Sequence, residues 1–264
     1  MDMGLNNKTA LVTGSTKGIG KAIAIELAKE GVHVLINGRN NEDVERTVHE
    51  IKSAFPATSP QNAAADIADI GQREALFDKY PSIDILINNT GIYEIMPYED
   101  VDDEVWNKYF QTNVLAANGL SKYYLPQMLN NNFGRIIFIA SEEAIMPSGQ
   151  MPQYAMTKSM LLSLSKSLSK LTKGTEVTVN TIMPGPTLSE KVQQIIEGVY
   201  ANENMTFSDK EKKFMASNLP QSEIRRFIRP SEIGRLATFV CSPYASAFKG
   251  SPIRMDGGMV PTIF

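Results

Sequence analysis

Tyr154 and Lys158 stand four residues apart in a stretch of helical period, so their side chains share one face. A phenol with its pKa near about 10 is a poor acid or base at neutrality, but a neighbouring ammonium favours phenolate and lowers that value. Ser141, at the end of an apolar run upstream, adds a hydroxyl that can hold a substrate oxygen. Together the three side chains predict proton transfer to a carbonyl as hydride arrives, or from an alcohol in reverse, with Tyr154 as acid or base and no metal. Tyr-x-x-x-Lys alone is a common surface pair, so its weight depends on its company.

That company begins near the N-terminus, where Thr13-Gly14-Ser15-Thr16-Lys17-Gly18-Ile19-Gly20 follows one apolar run and opens a helical one. Helix N-termini offer free N–H groups and a positive dipole end to phosphate. Gly14 suits a tight turn, Gly18 the close approach of backbone to a pyrophosphate, and Gly20 the packing of helix on strand. A flexible turn is the plain alternative, and the strand before and helix after favour a dinucleotide. The second strand ends Asn37-Gly38-Arg39, without the carboxylate that usually holds an NAD ribose. Arg39, with Lys17 in the turn, would attract a 2′-phosphate through charge-assisted bonds, which favours NADP(H) over NAD(H); otherwise both are solvated surface charges.

The elements that must carry these residues read as a parallel sheet with crossover helices. Strands are expected at Thr9 to Val12, Val32 to Ile36, Ala63 to Ala65 (weak), Ile83 to Ile87, Arg135 to Ala140, Val177 to Met183 and Ile253 to Met255. Ile19, Ile23 and Leu27 form one helix face ending at Gly31, a long helix runs from about Glu104 to Leu129, and another from about Gln153 to Leu171 holds the Tyr/Lys pair. No second core or linker is visible, so residues 1–264 read as a single α/β domain. The polar, weakly periodic stretch 186–230 reads as a substrate lid with short amphipathic pieces at Val192 to Tyr200 and Lys210 to Leu219.

Composition narrows the rest. With 42% hydrophobic and 21% charged residues the 264-residue chain is an ordinary globular one, and its apolar runs are too short to cross a bilayer. A net charge of −3 gives no field for nucleic acid or anionic membranes. The single cysteine, Cys241, suits a reducing cytoplasm, and two histidines, His33 and His49, give no zinc pattern. The expected partner is a small molecule.

The motifs Thr13-Gly14-x-x-x-Gly18-x-Gly20, Asp66-Ile67, Asn88-Asn89-Thr90-Gly91, Asn113, Ser141, Tyr154-x-x-x-Lys158, Pro184-Gly185 and Asp256-Gly257-Gly258, in this order, resemble the short-chain dehydrogenase/reductase family from Lys8 to Met259. The resemblance implies a Rossmann-type three-layer α/β/α sandwich around a mainly parallel seven-stranded sheet, a catalytic tetrad of Asn113, Ser141, Tyr154 and Lys158, and a homotetramer or homodimer. It also implies that Lys158 holds the nicotinamide ribose and that Asn113 positions a relay water. Asp66 and Ile67 would meet the adenine, Asn89 and Gly91 line the cofactor, Pro184, Gly185 and Thr187 seat the nicotinamide, and Ser189 bonds its carboxamide.

Departures from the family pattern are Thr90, where alanine is usual, Ser189, where a threonine often bonds the carboxamide and the serine hydroxyl can do the same, and Glu142-Glu143 directly after the serine, where small uncharged residues are usual. The two carboxylates are expected to face solvent, since acids are seldom buried unpaired; turned inward, they would favour a polar or cationic substrate. The leading reading is NADPH-dependent reduction of a ketone, aldehyde or 3-oxoacyl group; the alternatives are NAD(P)-linked oxidation of a secondary alcohol and, against the intact tetrad, a non-catalytic dinucleotide sensor. Arg225, Arg226 and Arg229 form a local basic cluster that an acyl carrier protein could meet.

Overall fold

The computed structural model describes residues 2–263; Met1 and Phe264, the two ends of the expected domain, lie outside the described residues. Seven strands form one parallel sheet in the order β3-β2-β1-β4-β5-β6-β7: β1 (Thr9–Val12), β2 (His33–Ile36), β3 (Gln61–Asn62), β4 (Ile85–Asn88), β5 (Arg135–Ile139), β6 (Thr178–Pro184) and β7 (Pro252–Met255). The central strands read as near-continuous apolar runs because both of their faces are covered, as parallel sheets require. Their side chains divide by alternation. Ala10, Val12, Val34, Ile36, Ile85, Ile87, Ile137 and Ile139 join one core with α1 (Gly18–Lys29), α2 (Asn41–Ala54) and α9 (Pro230–Cys241). Leu11, Leu35, Leu86, Ile136 and Phe138 join the other with α3 (Ile70–Lys79), α5 (Ala116–Asn130) and α6 (Pro152–Leu171). The expected three-layer sandwich is what forms.

The expected third strand, Ala63 to Ala65, shares no residue with β3. Ala63 and Ala65 do run beside β2, donating N–H groups to the Ile36 and Gly38 carbonyls, but their own carbonyls accept from Asn37 Nδ2 at 2.8 and 3.2 Å. A side chain thus replaces the outer ladder and ends the regular strand at Asn62. The expected long helix is also interrupted. It runs as α4 (Asp103–Phe110), a π-helical turn (Gln111–Leu115) and α5, a one-residue insertion of the kind that often marks a functional site.

The stretch 186–230 carries two helices, α7 (Glu190–Val199) and α8 (Phe207–Asn218), close to the amphipathic pieces read from the sequence. They pack on their own small cluster of Ile196, Tyr200, Met215 and Phe227. The arginines there are consumed: Arg226 forks onto Glu232 at 2.8 and 2.9 Å, and Arg229 onto Glu211 at 2.6 and 2.7 Å. Of the three arginines read as a basic cluster, only Arg225 keeps a guanidinium outside an ion pair among the described residues. Elsewhere, Cys241 at the end of α9 is wholly buried, and burial pushes its thiol up to about 12. No helix among the described residues is long and apolar enough to cross a membrane.

Candidate active site

The strand order reverses between β1 and β4, and in open α/β sheets the crevice at such a switch point takes the ligand. Both crevice loops are tied together by side chains. Thr13 Oγ1 accepts from the N–H groups of Asn89 and Thr90, each at 2.9 Å, and Asn89 Nδ2 donates to the carbonyls of Thr13 and Gly14 at 2.9 and 3.1 Å. Asn37, at the end of β2, accepts the Gly14 N–H at 3.3 Å, while its backbone N–H donates to Ser15 Oγ at 3.0 Å. Thr13 and Asn37 lie within the motifs quoted from the sequence, but these tying roles were not expected of them. A buried polar residue at the end of each apolar strand was the available sign.

The turn leaves room for a phosphate. Gly14 and Gly18 sit at φ +61° and +55°, and a side chain on Gly18 would meet nothing within 4 Å, whereas one on Gly20 would collide with the Gly14 carbonyl. Lys17 occupies the α1 N-cap without a side-chain cap, and the first turn has no acid, so the amides there stay unclaimed by the chain's own carboxylates. Lys17 and Arg39 are exposed at the rim, and neither forms an ion pair among the described residues. Ser15 and Ile19 turn inward, the first fully buried and the second against the core. Ile67 likewise spends its side chain on the second core, leaving its main chain beside Asp66. Asp66 Oδ1 accepts the Ala68 N–H at 3.0 Å.

Deeper in the crevice, Asn113 is fully buried in the π-helical turn and grips Ile92 on both sides, accepting its N–H at 2.8 Å and donating to its carbonyl at 3.1 Å. Its Nδ2 also donates to Thr157 Oγ1 at 3.0 Å, which joins the turn to α6. A side chain on Gly91 would lie 3.3 Å from Lys158 Nζ and 3.5 Å from Asn113 Oδ1, so glycine keeps open a cradle in front of both groups. Uncapped amides, an open glycine turn and this cradle together fit a dinucleotide stretched from the α1 N-terminus to the Tyr154 side of the crevice.

Ser141 follows β5, and Tyr154 and Lys158 lie in the first two turns of α6, which Pro152 opens at a position where its missing N–H costs nothing. Lys158 Nζ donates to the Ile139 carbonyl at 2.8 Å and stands 5.3 Å from the Tyr154 ring centre. Burial lowers the lysine to about 8. The tyrosine moves opposite to the sequence expectation: burial raises its pKa above the ordinary phenol value, with the carboxylates of Glu142 and Glu143 and the Tyr93 ring adding to it, and the bond with Ser141 only partly offsets this. The nearby ammonium is not enough to outweigh desolvation, so Tyr154 is held firmly as a phenol.

Glu142 and Glu143 also correct the sequence reading. They form a single 3-10 turn (Glu142–Ala144) that folds back over the end of β5 instead of reaching into solvent. Ser141 Oγ donates to Glu142 Oε2 at 2.6 Å, and Glu143, 8% exposed, accepts the Ser148 N–H at 2.9 Å. Pro184 and Gly185 end β6 against Asp256, where any side chain on Gly185 would strike the Asp256 backbone at 2.6 to 2.9 Å. Thr187 Oγ1 donates to the Gly185 carbonyl at 2.8 Å, and Ser189 caps α7 by accepting the Val192 N–H at 3.3 Å. Tyr93, which sequence reading passed over, lies 5.9 Å from the Tyr154 ring, with Lys191 of α7 5.7 Å above it. Met183 is buried beneath the site with Ala140 and Ala144, while Met156 is exposed.

Residues 8–199 match the family model described as short chain dehydrogenase. The chain is 47% identical, over the full length of both, to an uncharacterized oxidoreductase YvaG of Bacillus subtilis (strain 168). It is 32% identical to the D-beta-hydroxybutyrate dehydrogenase of Cupriavidus necator across 97% of this chain and 99% of that one. Among solved structures it superposes with a TM-score of 0.91 on L-sorbose reductase from Gluconobacter frateurii, complexed with NADPH and L-sorbose, at 30% identity and full coverage of both chains. The chain belongs to the short-chain dehydrogenase/reductase family. It is an oxidoreductase of the kind that acts on CH–OH groups.

Proposed function

We propose that this enzyme, one domain acting in the cytoplasm, reduces a small-molecule carbonyl to an alcohol with NADPH. The observation that carries the reading is the end of β2: Arg39 stands where a ribose-binding carboxylate would, exposed, with Lys17 exposed in the adjoining turn and neither paired among the described residues. A 2′-phosphate satisfies both charges. The likeness to an L-sorbose reductase complexed with NADPH points the same way. Gly14, Gly18, Gly20 and the amides of Ser15 and Ile19 would hold the pyrophosphate, Asp66 and the Ile67 main chain the adenine, Asn89 and Gly91 the middle of the dinucleotide, and Pro184, Gly185, Thr187 and Ser189 the nicotinamide.

When bound, the cofactor supplies hydride from its nicotinamide C4. Ser141 and Tyr154 meet the carbonyl oxygen, and Tyr154 gives it a proton from Oη as negative charge develops there. A phenol held in its protonated form by burial is in the state this acid role needs. Lys158 steadies the phenolate left behind, and Asn113 fixes the Ile92 loop and, through Thr157, the position of α6. The likeness to a hydroxybutyrate dehydrogenase keeps oxidation of a secondary alcohol as the second reading. A homodimer or homotetramer is the assembly we propose; Tyr123 and Leu171 leave apolar surface on the outer sides of α5 and α6.

Calorimetry with NADPH and NADH tests the cofactor. NADPH is expected to bind at least about tenfold tighter, near 1.4 kcal/mol, and Arg39→Asp to erase the preference. NADH winning in the unmodified enzyme would sink the reading. Tyr154→Phe is expected to bind NADPH normally while losing about 100-fold or more in turnover of L-sorbose or 2,3-butanedione; unchanged turnover would remove Tyr154 from the chemistry.

A further inference from the structure

We propose that Glu142 is a positioning residue that sets the direction of the Ser141 hydroxyl and so switches the site between a closed and a receptive hydrogen-bond pattern. The inference rests on the reading of Ser141 and Tyr154 as the groups that meet the substrate oxygen.

Ser141 leaves β5 with extended backbone, and its Oγ lies at a crossing of bonds. It accepts the Glu143 N–H at 3.2 Å and donates to Glu142 Oε2 at 2.6 Å. A hydroxyl has one proton to give. While Glu142 is ionised it can only accept, and the Ser141 proton points at it instead of at a carbonyl. Once Glu142 is protonated it can be the donor, sending its own O–H to Ser141 Oγ and freeing the serine proton for the substrate. The heavy atoms need not move, because the 2.6 Å separation suits either direction.

The surroundings make both forms accessible. Glu142 is half-buried, and the titratable groups acting on it are Glu143 on its own turn and Asp256 after β7, with Tyr154 facing it from α6. Asp256 is itself held by the N–H groups of Gly258 and Val260 at 3.2 and 3.1 Å. Among the described residues no lysine, arginine or histidine forms an ion pair with Glu142, and Lys158, the buried cation of the site, is spent on the Ile139 carbonyl. Burial first, then the like charges of Glu143 and Asp256, push the Glu142 carboxyl up to about 7, against the pull of the Ser141 bond.

Two arms test this. In the first, the pH dependence of kcat/KM for NADPH-driven reduction of 2,3-butanedione is measured for the native enzyme, Glu142→Gln and Glu142→Asp. The native profile is expected to rise as pH falls through about 7. In Glu142→Gln, whose amide can donate to Ser141 Oγ at every pH, that inflection should vanish and kcat/KM at high pH should exceed the native value by about threefold or more. Glu142→Asp should restore an inflection. A glutamine variant that keeps the native inflection overturns the proposal.

The second arm needs no turnover. Infrared difference spectra of the cofactor-free enzyme should show a protonated-carboxyl band that titrates near pH 7, is missing in Glu142→Gln, and moves to higher pH in Ser141→Ala, where the serine no longer stabilises the carboxylate. A band that ignores Ser141→Ala, or no such band, overturns the proposal whatever the kinetics show. If no carbonyl is reduced by any form of the enzyme while the band behaves as expected, the proposed function falls and the coupling of Glu142 to Ser141 stands.

Discussion

In the sheet, β1, β4, β5 and β6 bury their side chains on both faces in two continuous apolar cores, whereas α7 and α8, the helices of the lid we propose for residues 186–230, share one small cluster and lean on the fork between Arg229 and Glu211. Glu211 is only 3% exposed, and its Oε1 also takes the Phe227 N–H at 3.0 Å, so one carboxylate fastens α8 to the segment that leads into α9. The difference concerns what each region is built to do. Ser141, Asn113, Tyr154 and Lys158 hang from elements packed into those two cores or directly following them. The proposed lid meets them through Lys191 and Tyr93, and its own attachments are local.

Leu86→Ala should break the comparison from the rigid side. Leu86 is fully buried in the second core, and truncation should lower global stability by about 2 to 5 kcal/mol in denaturant unfolding, with lid and sheet lost in one transition. A loss well under about 1 kcal/mol would mean that the core collapses around the gap and is loosely packed at Leu86.

Glu211→Gln should sharpen it from the mobile side. It leaves Arg229 without its carboxylate, at a cost of roughly 1 to 3 kcal/mol, reduced because the guanidinium is about a third exposed. Hydrogen exchange should show faster amides in α7 and α8 with β4 and β5 unchanged; equal acceleration in both regions would remove the distinction between them.

Acid is the gentlest probe. Arg226 holds the Glu232 carboxyl down at about 2, and Arg229 holds Glu211 below the ordinary carboxylate value, so both pairs stabilise the folded lid fully above the unfolded carboxylate range and lose that contribution as pH falls toward 2. For the Arg226 pair, which water partly screens, the loss should be about 1 kcal/mol or less. It should appear as lid exchange rising between about pH 4.5 and 2, ahead of global unfolding. Lid exchange flat over that window would place the fastening in the apolar cluster instead.

The sheet was legible because fully buried parallel strands announce themselves as apolar runs, and six of the seven lie within about two residues of where the sequence puts them. The seventh failed for a physical reason: at β3 the partner of the main chain is the Asn37 side chain, which no run of residue types reveals. The π-helical turn is silent for a similar reason, since one inserted residue leaves the apolar pattern on either side intact. In the site, the residue types and the order of motifs were visible, but charge states were not. Desolvation reversed the expected shift of Tyr154, and the turn after β5 carried Glu142 inward, where its composition alone argued for solvent.

The buried thiol of Cys241 has a practical consequence. A sulfhydryl with no exposed surface and its titration pushed up to about 12 presents almost no thiolate to an alkylating reagent at neutral pH. Since the chain has one cysteine, the unmodified protein is already a silent background for site-selective labelling. A new cysteine at exposed Gln194 on α7 would carry the only reactive sulfur, and a dye there would report lid opening one molecule at a time without any native residue being removed.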